Sequence, residues 1–158
     1  MFHVGDKVVY PMYGAGTIVA IEEKSIDGVW HSYYVLHIPV GNLKILVSVK
    51  NAEKAGIRSV IDSDKLIETI GEVRNVPIIM HDNWNQRYKD NMEKIKTGNI
   101  SLVAEVFRNL RIREREKGLS SAEKKVLSTA KQIIISEIIL SHEVEKTQAE
   151  NILDRTIC

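Results

Sequence analysis

Cysteine is almost absent from this chain: of 158 residues only the last, Cys158, carries a thiol. That excludes a disulfide framework and a Cys-x-x-Cys metal or redox centre within the chain. Long apolar runs are missing as well. None reaches the roughly 18 residues needed to cross a bilayer. The opening Met1-Phe2-His3-Val4-Gly5-Asp6 has neither a basic n-region nor an apolar h-region, so no signal peptide is expected. The expectation is a cytoplasmic protein without membrane contact. Signatures of the common enzyme classes are lacking too. There is no G-x-x-x-x-G-K-[ST] phosphate loop and no H-E-x-x-H zinc motif. Gly14-Ala15-Gly16 is too short for a dinucleotide loop and reads as a turn. His3, His31, His37, His81 and His142 are scattered and form no metal-like pair; His31 and His37 read as cross-strand packing partners. His81-Asp82 has the types of an acid–base pair but no nucleophile beside it. No catalysis, cofactor or metal is expected.

What the chain does contain falls into two halves with different periods. Proline occurs three times, and Pro11, Pro39 and Pro77 each mark a break. Before about residue 50 the pattern is that of short strands. Val8-Val9-Tyr10 and Thr17 to Ile21 are rich in β-branched residues. Asp27-Gly28 is a two-residue hairpin signal, because a type I′ turn needs positive φ at both central positions. Trp30 to Ile38 continues as strand. In the next one Leu43, Ile45, Val47 and Val49 alternate with Lys44, Leu46, Ser48 and Lys50. So many short strands in so few residues hide their edges most simply by closing into a small SH3-like or Tudor-like barrel. Leu46, on the outward face, reads either as a singly exposed apolar residue or as part of an edge that pairs with a partner.

After residue 61 the period is helical. Asp62 or Ser63 caps a helix to about Glu72. Asp82 or Asn83 caps one from Trp84 to Thr97, with Gly98 at its end. Asn99 caps one to Lys117, ended by Gly118. Ser120-Ser121-Ala122-Glu123 has capping-box form and opens a helix to about Ser141. A last helix spans Lys146 to Arg155. Trp84, Tyr88, Met92 and Ile95 share one stripe of their helix. The expected class is α+β in two domains. Residues 1–53 form the barrel, 54–61 a linker and 62–158 an all-α bundle, and no heptad seam argues against a monomer.

The net charge of +1 conceals an uneven distribution. Residues 1–70 carry seven basic and eight acidic side chains, whereas residues 71–141 carry thirteen basic and nine acidic. The middle of the chain is where a polyanion is attracted. Arg108, Arg111, Arg113, Arg115 and Lys117 crowd the end of one helix, where cations offset the dipole. Lys124 and Lys125 open the next, where they do not, and a helix N-terminus favours an anion. Trp84 then has two readings. It packs on the bundle as the first residue of an amphipathic helix, or it is a wedge or stacking platform for a base, with Arg87, Lys89, Lys124 and Lys125 on phosphates.

The order of several short motifs resembles the CarD/CdnL family of bacterial transcription regulators. Val4-Gly5-Asp6-Lys7-Val8-Val9-Tyr10-Pro11 followed by Tyr13-Gly14 is similar to the family's opening. Asn51-Ala52-Glu53 with Gly56-Ile57-Arg58 is similar to the end of its first domain. Asn83-Trp84 with Arg87-Tyr88-Lys89, then Leu119-Ser120 with Glu123-Lys124, is similar to its second. The resemblance implies an N-terminal domain shared with transcription-repair coupling factor that binds a lobe of the RNA polymerase β subunit. Docking is implied through a strand edge, here Lys44, Ile45, Leu46 and Val47, with Lys24 at a basic contact position. Leu46 departs from a position that is Arg in well-known members. The resemblance further implies that Trp84 enters the minor groove of promoter DNA at the upstream edge of the bubble, without sequence preference. Arg87, Lys89 and Lys124 match positions facing the DNA backbone. The function so implied is tuning, in the first place stabilising, the open promoter complex, in the cytoplasm and on the nucleoid through polymerase. A protein adaptor without DNA contact and an RNA-binding module are the competing readings.

Overall fold

Five antiparallel strands come first: β1 (Lys7–Tyr10), β2 (Gly14–Ile26), β3 (Val29–Ile38), β4 (Leu43–Ser48) and β5 (Arg58–Ser59). Five helices follow: α1 (Ser63–Gly71), α2 (Trp84–Lys96), α3 (Ile100–Glu116), α4 (Ser121–His142) and α5 (Lys146–Ile157). A short 3-10 turn over Glu72–Asn75 extends α1. The structure is a computed structural model that describes residues 1–157; Cys158 lies outside the described residues. The class is α+β, as the two periods in the sequence require.

The sheet order is β4-β3-β2-β1-β5. No ladder joins β4 to β5 among the described residues, so the sheet is open and the expected closed barrel is corrected. The reason is visible in β5, which has two residues and pairs only with Val8 and Val9 of β1. Arg58 of β5 turns to the helical half instead, reaching Glu137 of α4 and the Gly98 carbonyl. β5 also lies inside residues 54–61, expected as linker, so part of that stretch belongs to the sheet. At the other end β4 pairs with β3 alone and leaves its outer edge open.

The Asp27-Gly28 turn forms as the sequence requires, with φ of 52° and 78°. Gly14-Ala15-Gly16 is not a turn. It is the start of β2, paired with Tyr10, Val9 and Val8, and the chain reverses at residues 11–13. The small residues are needed for close approach. A Cβ on Gly14 would stand 2.6 Å from Ser136 Oγ of α4, and one on Gly16 would stand 2.5 Å from the His37 carbonyl oxygen.

Two apolar clusters hold the chain. Val8, Ile18, Tyr34, Leu36, Ile38 and Val47 form the smaller one on one face of the sheet. Val103, Phe107, Leu110, Ile134, Ile138 and Leu153 are central to the larger one in the bundle. Helix α4 is buried at every position from 133 to 138, because helices pack on one side of it and the sheet on the other. Met12, Val40 and Ile61 lean from the sheet half onto the helical cluster.

Candidate nucleic-acid interface and docking edge

Helix α2 begins at Trp84 because Asn83, in extended conformation, accepts the Gln86 N–H at 3.2 Å and satisfies one of the free donors of the first turn. The indole is 51% exposed. Of the two readings of Trp84, packing into the bundle is therefore not the one seen. The buried residues of α2 are Arg87, Asn91 and Ile95, with Tyr88 and Met92 only partly covered, so the packed stripe lies to one side of the one expected.

Arg87 is the main correction among the site residues. It is 3% exposed and does not face solvent, so it is not available to a phosphate. Its Nε and Nη2 donate to the two Glu123 carboxylate oxygens at 2.7 and 2.8 Å. Its Nη1 donates to the His81 and Asp82 carbonyls at 2.9 and 3.1 Å. The physical reason is the cost of burial: a charged guanidinium removed from water is tolerated when a matching carboxylate and further acceptors take most of its donors, here four of five N–H groups. Glu123 is 2% exposed. The Arg87 fork, with help from the Ser120 hydroxyl, holds the Glu123 carboxyl below its ordinary range despite burial, and the same contact raises Arg87. Arg87 thus ties the loop before Trp84, the start of α2 and the start of α4 into one unit.

The capping box forms only in part. Ser120 Oγ accepts the Glu123 N–H at 3.2 Å, but the Glu123 carboxylate turns to Arg87 rather than back to the cap backbone. Lys124 and Lys125 follow directly and are exposed. Lys125 lines a shallow cleft with Met12, Tyr88, Met92 and Val126. Lys89 is exposed too, but it lies two residues past Arg87, about 200° round the helix, so it faces away from α4. The packing therefore gathers Trp84, Lys124 and Lys125 at one end of the bundle and leaves Lys89 on a separate flank. The C-terminal end of α3 comes to that end as well: Arg113 is close enough to lower Glu123, and Arg115 and Lys117 beyond it are exposed. In the sequence this cluster reads as cations offsetting a helix dipole, and only the packing of α3 beside α4 brings it near the site. His81 serves the loop, its Nδ1 accepting the Asn83 N–H at 3.2 Å.

On the sheet, Lys44 and Leu46 are exposed on β4, opposite His37 and Val35 of β3. Ile45 is half-buried, and the Val47 side chain lies in the sheet's own core, so Val47 offers its backbone alone. Lys24 sits on β2 opposite His31, beyond the end of β4. By the two-residue period of the strands it shares a face with Lys44 and Leu46. The β4 edge and the Trp84 end thus sit on different halves of the molecule. Among the described residues no cluster of His, Cys, Asp or Glu could hold a metal ion, and no helix is long and apolar enough to cross a membrane.

Residues 2–61 match the family described as CarD-like/TRCF RID domain, and residues 68–154 match the family described as CarD, C-terminal domain. The chain is 36% identical over 151 residues to "Putative transcription factor YdeB" of Bacillus subtilis (strain 168), an alignment that covers 96% of this chain and 99% of that protein. The matched segments contain both the β4 edge and Trp84 with Lys124 and Lys125.

Proposed function

Since the chain belongs to the CarD-like family, we propose that it is an RNA polymerase-binding transcription regulator that contacts the upstream edge of the transcription bubble and stabilises the open promoter complex. In this reading the sheet docks on the lobe of the polymerase β subunit by adding a strand to the open edge of β4. Main-chain hydrogen bonds supply the affinity there, with Lys24, Lys44 and Leu46 as flanking side chains. The far end of the bundle then meets the DNA. Trp84 enters the minor groove, and Lys89, Lys124 and Lys125 meet the phosphate backbone. The protein works as a monomer in the cytoplasm, on the nucleoid through polymerase.

The observation that carries the proposal is the half-exposed Trp84 indole on a helix start that a cap and a buried Arg87–Glu123 pair hold in place. A large apolar ring presented to solvent on a fixed support beside cations is suited to a distorted duplex, where it inserts between partly unstacked bases. Insertion favours opened over closed DNA, and only such a difference in affinity shifts that equilibrium. A contact that reads shape needs no sequence preference. Docking on polymerase raises the local DNA concentration, so a few phosphate contacts suffice. An adaptor without DNA contact is the weaker reading, because it calls for the indole to be buried.

The test is Trp84→Ala. Its affinity for the isolated β lobe is expected within twofold of wild type, while the lifetime of competitor-resistant open complexes falls toward the value without the protein. A folded Trp84→Ala protein that leaves the lifetime unchanged sinks the wedge. Binding of single-stranded RNA without polymerase, in a gel shift, would favour the RNA module instead.

A further inference from the structure

The two halves of the molecule are joined by polar fastenings as well as by apolar contact. Arg58 of β5 donates from Nη1 and Nη2 to the two carboxylate oxygens of Glu137 on α4, at 2.8 and 2.7 Å. Its Nε donates to the Gly98 carbonyl in the α2–α3 loop at 3.0 Å. Glu137 is 0% exposed and also accepts the Ile61 N–H at 3.0 Å. One residue before it, Ser136 Oγ accepts the Ala15 N–H of β2 at 2.8 Å. Gly98 approaches Pro11 so closely that a Cβ there would stand 2.9 Å from the proline ring. At the far end of α4, Lys7 Nζ of β1 donates to the Leu140 carbonyl at 3.0 Å and to a Glu143 carboxylate oxygen at 3.2 Å, both exposed contacts. Four segments of the sheet half are thus keyed to two segments of the bundle, and Arg58–Glu137 is the bidentate one among these contacts.

We propose that Arg58 is a positioning residue. With Glu137 it locks the sheet to α4, so that the polymerase-docking edge and Trp84 are held at one separation and one orientation. The inference deepens the functional reading above and rests on it. The physical argument turns on direction. Apolar contact, such as that of Met12, Val40 and Ile61 with the helical cluster, has no preferred orientation. It fixes the relative placement of two bodies less sharply than a directional contact does. A guanidinium fork on a carboxylate is planar and bidentate and admits one arrangement. A buried pair of this kind adds little net stability over an apolar replacement. Its use here is to select one placement of the two halves among several of similar apolar burial. Deprived of that lock, the docked sheet presents Trp84 over a spread of positions, and only a fraction of them meet the bubble edge. The apparent affinity for opened DNA falls by that fraction.

The experiment compares wild type with Arg58→Ala, each with Ser25→Cys and Asn151→Cys spin labels in a Cys158→Ser background. Three quantities are read: the distance distribution by pulsed electron resonance, the affinity for the isolated β lobe, and the open-complex lifetime. Expected for Arg58→Ala are a distribution at least twice as wide, lobe affinity within twofold, and a lifetime shortened severalfold. A distribution as narrow as wild type overturns the proposal. So does a widened distribution with a full lifetime, which would make Arg58 a structural contact only. Should Arg58→Ala fail to fold, Glu137→Gln keeps the shape and removes the charge, and the same outcomes decide. If wild type itself leaves the lifetime unchanged, the functional reading falls, while the distance distributions still show whether Arg58 locks the two halves.

Discussion

Helix α4 receives an arginine fork at two places, and the two junctions hold different things. Near its start Glu123 takes Arg87 from α2, with both side chains almost fully buried. Fourteen residues further on, Glu137 takes Arg58 from β5, and there the arginine keeps 27% of its side chain in water. The chemistry is the same in both: a carboxylate of α4, two parallel charge-assisted hydrogen bonds, and extra acceptors in main-chain carbonyls. The first junction fixes one loop and the side chain that follows it. The second fixes one half of the molecule against the other. A basic residue in a region that attracts polyanions is thus not always a residue that meets them. Arg87 lies in the positive part of the chain and is spent inside, whereas Lys124, next to its partner, is left outside.

The comparison breaks most readily at its larger member. Arg87→Ala leaves the buried Glu123 charge without its main partner and is expected to cost about 3–5 kcal/mol of unfolding free energy. For a chain of this size that lowers the midpoint by about 6–20 °C. Arg58→Ala opens a path for water to Glu137, which keeps the Ile61 N–H, so its cost is expected nearer about 1–3 kcal/mol. Urea unfolding of the two variants side by side tests the ranking. Equal losses would mean that water does not reach Glu137.

The Arg87–Glu123 junction also carries a pH signature. The Glu123 carboxyl, held low by the Arg87 fork, contributes stability that is complete above its ordinary value near 4.5 and disappears as pH falls through the lower value of the folded state. Glu123→Gln is therefore expected to be less stable at pH 7 and to lose less on acidification below about pH 4.5. Thermal midpoints from pH 7 down to pH 3 give the comparison, and parallel curves for the two proteins would remove this origin of the acid sensitivity.

The smallest effect is expected outside. Lys124→Ala and Lys125→Ala touch exposed side chains, so stability is expected to change by less than about 0.5 kcal/mol. Each should lower the dependence of DNA binding on salt concentration by roughly one unit of slope, measured on the polymerase complex. An unaltered slope would mean that these lysines are solvated surface and nothing more.

Much of the fold was legible because it follows local rules. The Asp27-Gly28 hairpin and the Asn83, Asn99 and Ser120 caps form where turn and cap chemistry put them. The open sheet was not legible, since strand patterns count strands but do not say whether the first and last meet. Arg87 was misplaced because a periodicity argument looks for apolar residues on the packed face, and the packed face of α2 carries an arginine and an asparagine. The junction between the halves did leave a trace. From Ile133 to Ile138 the chain is apolar all round except for Ser136 and Glu137, and a helix of that kind is covered on every side. Those two polar residues meet the sheet. Exposure at Trp84 was beyond reach from sequence. Trp30, at the hairpin tip, is more exposed still at 68%, and nothing in its strand pattern announced that.

Both forks hang from one continuous helix, and this constrains how the molecule can change length. Glu123 and Glu137 are separated by about 21 Å along the axis of α4 and by a little less than four turns. A single residue inserted between them adds only about 1.5 Å but turns everything beyond it by about 100°. One carboxylate then points away from its arginine. Only insertions close to whole turns, such as seven residues for two, leave both forks able to close. The reach from sheet to helix end is therefore not adjustable by single residues: a descendant chain can keep it or change it in steps of about one or two helical turns, roughly 6 or 10 Å.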